Sequence, residues 1–390
     1  MAKNARIAII GAGLGGIPAA AMLQARGQNV TIYEQAPAFA RLGAGINLGP
    51  NIMKIMREIG IEDQLRRTGI EPNSWANREW NTGRMQFEFM MKGELGRDYG
   101  APYMLIHRGD FHAILAQAVP PETVQFGKRL IGIDEKESVV ELSFDDGTTA
   151  EADIVIGADG INSMVRELIL GPEEPTYTGF VAHRAIFSRA LIKAPLPHDF
   201  TKWWSDDSHE AADDRHILVY YLDRTREEIY IVSGVPDRNW DSGVSYVDAD
   251  LDEMIDVFDG FHDDLMQVLY ACPAATKWPL FDRKPLPLWS QGRVVLLGDA
   301  CHPMKPHLGQ GAAMAAEDAV ILVRCLEQFG YEDLKGAFAL YETSRKARTS
   351  DVQHHSYKNQ WMRHETDPDW VFGYDAITQE LGVEAGVAGD

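Results

Sequence analysis

The chain has 390 residues, of which 45% are hydrophobic and 24% charged, which favours a globular protein of two or three domains or one large core. The net charge of −21 argues against nucleic acids and anionic membranes as partners, because both attract basic surface patches. The three cysteines do not have metal-ligand spacing, so the sequence predicts no cysteine metal site. No apolar run approaches the ~18 residues of a membrane span, so it predicts no membrane segment. Because a strand pattern begins almost at once, leaving no room for a signal peptide, we expect a cytoplasmic protein.

The first predicted elements are a strand, a glycine turn, a helix and a second strand, in RIAIIGAGLGGIPAAAMLQARGQNVTIYEQA, which begins at Arg6. Its glycines hold the G-x-G-x-x-G positions, which allow a tight turn, close approach of a pyrophosphate and close helix–strand packing. Glu34 closes the second strand, where a carboxylate can accept hydrogen bonds from a ribose diol. We therefore predict a dinucleotide site that contains Gly11, Gly13, Gly15, Gly16, Glu34 and Gln35.

Two later aspartates bear on which dinucleotide binds. The glycine motif alone is compatible with a ligand-free turn, and an acid at position 34 disfavours a 2′-phosphate, which leaves FAD or NAD. Asp159 follows an apolar strand in ADIVIGADG, and Asp299 follows another in VVLLGDACHPMKPHLGQGAAMAAEDA. Such carboxylates can hydrogen-bond the ribitol chain that FAD has and NAD lacks. The alternative is that each aspartate only caps the helix that it precedes.

Short alternating runs of β-branched and aromatic residues lie between these two aspartates and predict an antiparallel sheet. They are FVAHRAIF, RHILVYYLD and EEIYIVSGV. Even spacing in RHILVYY places His216 and Tyr220 on one face of a strand. From about residue 335 the stretch LKGAFALYETSRKARTSDVQHHS predicts a helix.

The ordered motifs resemble those of the class A flavin-dependent aromatic hydroxylases, the group of p-hydroxybenzoate and salicylate hydroxylases. Within this group the stretches IHRGDFHAIL, FVAHRAI and GDACHPMKPHLGQGAAMAAEDA are most similar to the 6-hydroxynicotinate monooxygenases. The resemblance implies that Asp299 binds the flavin ribitol, that Arg108 contacts the flavin chain and that Asp159 belongs to a motif shared by FAD and the nicotinamide donor. It also implies that the loop from residue 303 to 311 follows the isoalloxazine edge, with Gly311 and Ala312 as cofactor-binding residues.

The resemblance implies an α/β fold with a Rossmann-like FAD-binding domain of the p-hydroxybenzoate hydroxylase type. We expect an inserted antiparallel-sheet substrate domain and a C-terminal helical segment. The FAD-binding domain would combine residues 1–75, 104–178 and 271–340. The substrate domain would combine residues 76–103 and 179–270, and the helical segment would cover residues 341–390.

The activity implied by the resemblance is that of a FAD-dependent, NADH-consuming monooxygenase acting through a flavin C4a-hydroperoxide. The substrate would be a hydroxylated aromatic or pyridine carboxylate, hydroxylated with decarboxylation, as in the conversion of 6-hydroxynicotinate to 2,5-dihydroxypyridine. Partners would be this small acid, O₂ and NADH, with the protein a monomer or a homodimer. Alternatives are a salicylate-type or other phenolic-acid hydroxylase, or, in different classes, an NAD-dependent dehydrogenase or a ligand-binding flavoprotein.

The resemblance implies four catalytic-site residues. We assign His302 to proton handling or carboxylate binding, because histidine suits general-base chemistry near neutral pH. Tyr220 would hydrogen-bond the substrate hydroxyl or carboxylate, with His216 as a carboxylate partner, although either residue could serve only in strand packing or on the surface. Asn47 stands where the 6-hydroxynicotinate enzymes carry a histidine. Because an amide cannot act as a base, His302 or a water chain would remove the proton, or the substrate differs.

Overall fold

The strand Arg6–Ile10 lies inside a six-stranded sheet, and its apolar residues are buried. The computed structural model describes residues 4–41, 43–205, 215–240 and 244–383. Sheet order is Ser290–Gln291, Val294–Leu296, Ile154–Gly157, Arg6–Ile10, Asn29–Glu34 and Val124–Phe126. Neighbours are parallel except for the first pair, so most strands end at one edge. Glu34, Asp159 and Asp299 lie at or just beyond three of these ends.

Helix Gly311–Phe329 is the centre of the helical packing. It packs against helices Gly16–Ala25, Pro50–Glu58 and Leu334–Lys358, and its residues 313–323 are all buried. Small residues at its start allow the close approach, and apolar residues fill the later turns. The remaining α-helices are Glu62–Thr68, Glu94–Tyr99, Arg108–Leu115, Met164–Leu170, Leu251–Val257, Asp263–Ala271 and Asp369–Phe372.

A second, eight-stranded sheet holds the predicted substrate-side strands. Its order is Val247–Asp248, Thr276–Asp282, Thr176–Ser188, Glu228–Pro236, His216–Tyr221, Phe200–Trp204, Ser74–Glu79 and Met85–Met90. Neighbours are antiparallel, as predicted, except that Phe200–Trp204 runs parallel to Ser74–Glu79. Strand Thr276–Asp282 belongs to this sheet because it pairs with Thr176–Ser188, although we predicted residues 271–340 to belong to the FAD-binding domain.

The remaining strands of the described residues form two smaller sheets. One is three-stranded and antiparallel, with Leu130–Glu135, Val140–Phe144 and Thr149–Ala152. The other is a two-stranded ribbon in which Gly45–Leu48 pairs with Met104–His107. This ribbon carries Asn47, and its second strand leads directly into Arg108, so it brings two predicted site residues to one place.

The predicted C-terminal helical segment, residues 341–390, contains most of the 25-residue helix Leu334–Lys358, which begins before it, and the short helix Asp369–Phe372. The longer helix ends at Asn359, whose φ of +48° is left-handed, as is common where asparagine or glycine terminates a helix. Residues 384–390 of the predicted segment lie outside the described residues. Among the helices that the structure describes, none is both long and apolar enough to cross a membrane.

Candidate active site

The glycine turn after the first strand has no room for side chains on its inner side. Gly11 has φ +102°, and a Cβ there would lie 2.5 Å from the Ala158 carbonyl oxygen. A Cβ on Gly15 would lie 2.5 Å from a leucine side chain, and one on Gly16 would overlap the Gly11 carbonyl. A Cβ on Gly13 would meet only the Ala158 oxygen, at 4.0 Å. The turn is therefore closely packed inside and open at Gly13, where a phosphate can approach the backbone.

The backbone holds the Glu34 carboxylate at the end of its strand. Oε2 accepts the Ala12 N–H at 2.9 Å, and Oε1 accepts the Ala36 N–H at 2.8 Å. Each carboxylate oxygen can accept a further hydrogen bond, so the group can still bind a ribose diol. Gln35 follows with an exposed side chain at the same sheet edge.

Asp159 uses its carboxylate to begin helix Met164–Leu170. Oδ1 accepts the Ser163 hydroxyl at 2.5 Å and Oδ2 accepts the Val165 N–H at 3.1 Å. Burial raises the pKa of the Asp159 carboxyl, and these hydrogen bonds oppose that shift. The Arg166 guanidinium then donates to the Ala300 carbonyl at 3.0 Å. The Asp159 motif is thus tied to the Asp299 motif, and the Asp159 carboxylate supports the start of a helix whose N-cap is Ser163.

A cavity of about 320 Å³ lies between the glycine motifs and the eight-stranded sheet. Four predicted cofactor residues and three predicted catalytic residues line it. They are Arg108, Asp299, Gly311 and Ala312 from the first group, and Asn47, His216 and Tyr220 from the second.

Asp299 lines the cavity at the end where the sequence predicts the cofactor, called the cofactor end below. Its side chain is open to the cavity yet lies deep among protein atoms, so burial raises the pKa of its carboxyl while the Arg108 charge opposes the shift. Burial lowers the pKa of the Arg108 guanidinium. Helix Gly311–Phe329 starts beside them, and a Cβ on Gly311 would meet nothing within 4 Å. The unpaired N–H groups of the helix start therefore border open space.

One face of the eight-stranded sheet forms the other end of the cavity. His216, Leu218 and Tyr220 alternate along one strand and all line the cavity, as their even spacing predicted. Residues opposite one another in register share a face of the sheet. The cavity-lining residues placed in this way on neighbouring strands are Lys202, Tyr230, Val232 and Arg184.

Two neutral histidines meet at this end. The rings of His216 and His307 lie 5.1 Å apart, edge to face. His216 Nδ1 lies 3.1 Å from Asn359 Nδ2, and His307 Nδ1 lies 2.9 Å from the Ser356 carbonyl. Burial, followed by the Lys202 charge, lowers the pKa of His216 well below its usual value and that of His307 to about 3. Both imidazoles are therefore uncharged at neutral pH.

Tyr220 and Asn47 both line the cavity where the ribbon approaches the sheet. Burial raises the pKa of the Tyr220 hydroxyl well above its usual value, so the group is a hydrogen-bond donor at neutral pH. A Cβ on Gly45 would lie 2.5 Å from the Tyr220 Oη, so glycine is needed there. The buried Asn47 Oδ1 has no hydrogen-bond partner among the described residues. An acceptor and a donor for a substrate hydroxyl thus lie at the ribbon.

Sequence reasoning missed three cations in the cavity wall, namely Lys202, Arg184 and Lys305. Lys202 Nζ donates to Asn359 Oδ1 at 3.0 Å and lies 3.7 Å from the centre of the Trp204 ring. The Arg184 guanidinium lies 5.1 Å from the Trp278 ring centre. The sequence contains a signal for Arg184 and Lys202. Each is a charged residue inside an aromatic strand pattern, in FVAHRAIF and in the KWW that begins at Lys202. His307 was also left unassigned, and its place in the loop after Asp299 was the signal for it.

His302 does not lie where we predicted it. Its Nε2 is 2.5 Å from an Asp318 oxygen, and the other Asp318 oxygen accepts Arg345 Nε at 2.7 Å. Its ring packs 5.2 Å from Trp289, and only 3% of its surface is exposed. The turn that follows Asp299 directs this side chain towards helix Gly311–Phe329, so within the described chain His302 is not a cavity-lining residue. It belongs instead to a buried ion cluster with Asp318 and Arg345.

A family model described as an FAD binding domain matches residues 4–356. The chain is 52% identical to 6-hydroxynicotinate 3-monooxygenase of Bordetella bronchiseptica, covering 98% of both chains. The chain belongs to this FAD-binding family. It is also 49% identical to 6-hydroxynicotinate 3-monooxygenase of Pseudomonas fluorescens, over 98% of both chains. A solved substrate complex of salicylate hydroxylase has a TM-score of 0.79 and 26% identity, covering 95% of this chain and 96% of that one.

Family membership confirms the predicted fold class, the FAD cofactor and the class of flavin-dependent monooxygenases. The site residues fit that cofactor. Gly13 admits a phosphate, Glu34 offers acceptors for a ribose, Asp299 opens towards the cavity, and the free helix start at Gly311 offers N–H donors. The alternative of an NAD-dependent dehydrogenase without flavin has no support from these findings.

Proposed function

We propose that the protein is a cytoplasmic, NADH-dependent monooxygenase that hydroxylates a hydroxylated pyridine or benzene carboxylate with loss of CO₂. Conversion of 6-hydroxynicotinate to 2,5-dihydroxypyridine is the reaction that we favour. The observation that carries this proposal is the cavity with Asp299 at the cofactor end and Lys202, His216 and Tyr220 at the other. Relatives at 52% and 49% identity that bear the name 6-hydroxynicotinate 3-monooxygenase support it.

The spacing of the polar groups suits a ring with substituents at opposite ends. His216 and Tyr220 are four residues apart on one strand face, so their Cα atoms are roughly 13 Å apart. Leu218 between them gives an apolar wall for the ring. Lys202 and His216 would bind the carboxylate, and Tyr220 with Asn47 would bind the hydroxyl. One aromatic acid could then contact both ends through a hydrogen bond at each.

The protein's contribution is to orient the substrate and to exclude water. Asp299, Arg108 and the start of helix Gly311–Phe329 would hold FAD, which would supply the chemistry for reduction by the nicotinamide donor and for activation of O₂. The Asn47 amide can accept a hydrogen bond from the substrate hydroxyl but cannot take its proton, so a chain of water molecules would carry the proton out of the site. The apolar wall and the neutral, buried histidines favour positioning and desolvation of the substrate.

A phenolic acid is the second candidate substrate, and Asn47 is the observation that favours it. The notable departure from the 6-hydroxynicotinate enzymes is at this position, and the chain is also 31% identical to salicylate hydroxylase of Pseudomonas putida over 98% of this chain and 97% of that one. The reaction class would be unchanged.

A substrate screen tests the proposal. Purified holoprotein is mixed anaerobically with NADH and one acid, and flavin bleaching near 450 nm is followed in a stopped-flow instrument. We expect 6-hydroxynicotinate to speed bleaching more than salicylate, 4-hydroxybenzoate or 3-hydroxybenzoate. Mass spectrometry of the aerobic reaction should then detect 2,5-dihydroxypyridine. If no acid in the panel accelerates bleaching, the proposed activity is wrong.

A further inference from the structure

Asn359 places its side-chain amide between the two polar groups at the far end of the cavity. Its backbone terminates helix Leu334–Lys358 with φ +48°. Its Oδ1 accepts the Lys202 ammonium at 3.0 Å, and its Nδ2 lies 3.1 Å from His216 Nδ1. The residue is buried, so the amide has little freedom to turn.

The chemistry of these three groups allows one arrangement of protons. A lysine ammonium can only donate, so the amide oxygen must face Lys202 and the amide NH₂ must face His216. Because the NH₂ can only donate, His216 Nδ1 must be the acceptor. His216 is neutral at pH 7, so its single ring proton must be on Nε2.

The same helix end places the ring proton of His307 on the other nitrogen, Nδ1. Its Nδ1 faces the carbonyl of Ser356, which belongs to the last turn, where carbonyls lack intrahelical partners. A carbonyl only accepts, so His307 Nδ1 carries the proton. The two adjacent rings are therefore fixed in different tautomers by two groups of one helix terminus.

We propose that Asn359 is a positioning residue that holds His216 as an Nε2–H donor beside Lys202, which makes this corner selective for a carboxylate. The identity of the bound acid rests on the proposed function, whereas the tautomer does not. Two donors on one anionic group contribute charge-assisted hydrogen bonds, which are stronger than neutral ones. An uncharged amide in the same place would gain less.

Helix termination is the competing role for Asn359, and two variants separate the roles. Asn359→Gly keeps the left-handed backbone and removes the amide. Asn359→Asp keeps the size but offers only acceptors, so His216 would have to place a proton on Nδ1. Asn29→Asp makes the same change at an exposed strand position and is the matched control.

Ligand binding is measured by titrating each holoprotein with 6-hydroxynicotinate and with uncharged 6-hydroxynicotinamide, using the flavin spectrum. We expect both Asn359 variants to bind the acid about tenfold more weakly or worse, with less than about a threefold change for the amide. The Asn29→Asp variant should match the unaltered protein. Equal losses for both ligands, or no loss in either Asn359 variant, would overturn the carboxylate role.

The tautomer is measured directly in the unaltered holoprotein, which avoids any folding defect of a variant. Two-bond ¹H–¹⁵N spectra of histidine-labelled protein distinguish Nε2–H from Nδ1–H rings, and His216→Gln and His307→Gln identify the signals. We expect Nε2–H for His216 and Nδ1–H for His307. An Nδ1–H signal for His216 would refute the positioning role of Asn359. If no acid binds at all, the proposed function fails while this result still decides the tautomer.

Discussion

At the scale of single residues, burial decides which groups carry charge in the cavity. The Tyr220 hydroxyl stays protonated and both cavity histidines stay neutral, because each is buried. Positive charge comes from Arg108, Lys202, Arg184 and Lys305, of which the motif-based interpretation singled out only Arg108. The glycine turn and the acid at the strand end were predictable, since both follow from the needs of a dinucleotide, and the assignment of individual residues to the cofactor stays a prediction.

Histidine positions in the loop after Asp299 were not predictable from the sequence. His302 and His307 are five residues apart in one loop, and either could have faced the substrate. The hydrogen bond from the His302 N–H to the Gly298 carbonyl tightens the first turn, and Pro306–Leu308 forms a second. These turns direct His302 towards Asp318 and His307 towards the cavity, and periodicity does not encode such loop geometry.

Substitution of Asn47 tests whether the site lacks a base. Asn47→His would place an imidazole beside the substrate hydroxyl, so we expect kcat at pH 7 to rise about tenfold and a new limb near pH 6 in the pH profile. The measurement is steady-state NADH oxidation with the best acid of the screen. Asn29→His, at an exposed position, is the control. An unchanged kcat and pH profile would mean that proton removal is already efficient without a side chain at position 47.

Substitution of Asp299 tests its predicted role with the cofactor. Asp299→Ala removes a carboxylate that opens towards the cavity, so we expect the affinity for FAD to fall about tenfold to a hundredfold. Titration of apoprotein with FAD, followed by flavin fluorescence, measures the loss. Asp145→Ala removes an exposed carboxylate and should leave the affinity unchanged. Equal affinities for the two variants would remove Asp299 from the cofactor site.

At the scale of elements, helix Gly311–Phe329 joins the cofactor end to the ion cluster. Its first turn borders the cavity, while Glu317 and Asp318 in the following turns pair with Arg345 and Arg348 of helix Leu334–Lys358. Burial would raise the pKa of Asp318, but His302 and Arg345 outweigh it and leave that pKa lowered. The sequence pattern predicts both helices. It does not show which residues of one helix form ion pairs with the other, because that depends on how the helices pack.

His302 is expected to affect stability rather than substrate binding. His302→Ala removes a buried partner of Asp318, so we expect a loss of about 1–3 kcal/mol in the free energy of unfolding. His302→Gln, whose amide can donate to Asp318, should lose less. Thermal unfolding of the holoprotein measures the effect, and KM for the acid should change less than about twofold. A large rise in KM without loss of stability would restore the substrate role that we first assigned to His302.

At the scale of the whole molecule, the order of motifs predicted the fold class, because distant strand ends must meet to hold one cofactor. The domain boundary that we predicted at residue 271 does not coincide with the edge of the eight-stranded sheet. Strand Thr276–Asp282 lies after that boundary but pairs with Thr176–Ser188 of this sheet. Alternation indicates that a segment is a strand, but not which strand lies beside it or in which direction. The parallel pair of Phe200–Trp204 with Ser74–Glu79 was missed for that reason.

Buried neutral histidines should make the whole protein less stable in mild acid. Burial lowers the pKa of His183 to about 4 and of His307 to about 3, and lowers that of His216 as well. Unfolded histidines titrate near 6.5, so below that pH the unfolded chain binds more protons and stability falls. Each such histidine contributes about 1.4 kcal/mol per pH unit below 6.5. The net charge of −21 acts in the opposite direction, because acid relieves repulsion among the carboxylates.

Denaturant unfolding of FAD-saturated protein between pH 5 and 6.5 decides between these effects. The window lies above the lowered pKa values of Glu317 and Asp318, so those carboxylates stay ionised. We expect stability to rise with pH, and His307→Gln to reduce the slope by about 1 kcal/mol per pH unit. His354→Gln, at an exposed position, should leave the slope unchanged. A slope of the opposite sign in the unaltered protein would show that charge repulsion, and not histidine burial, governs its acid response.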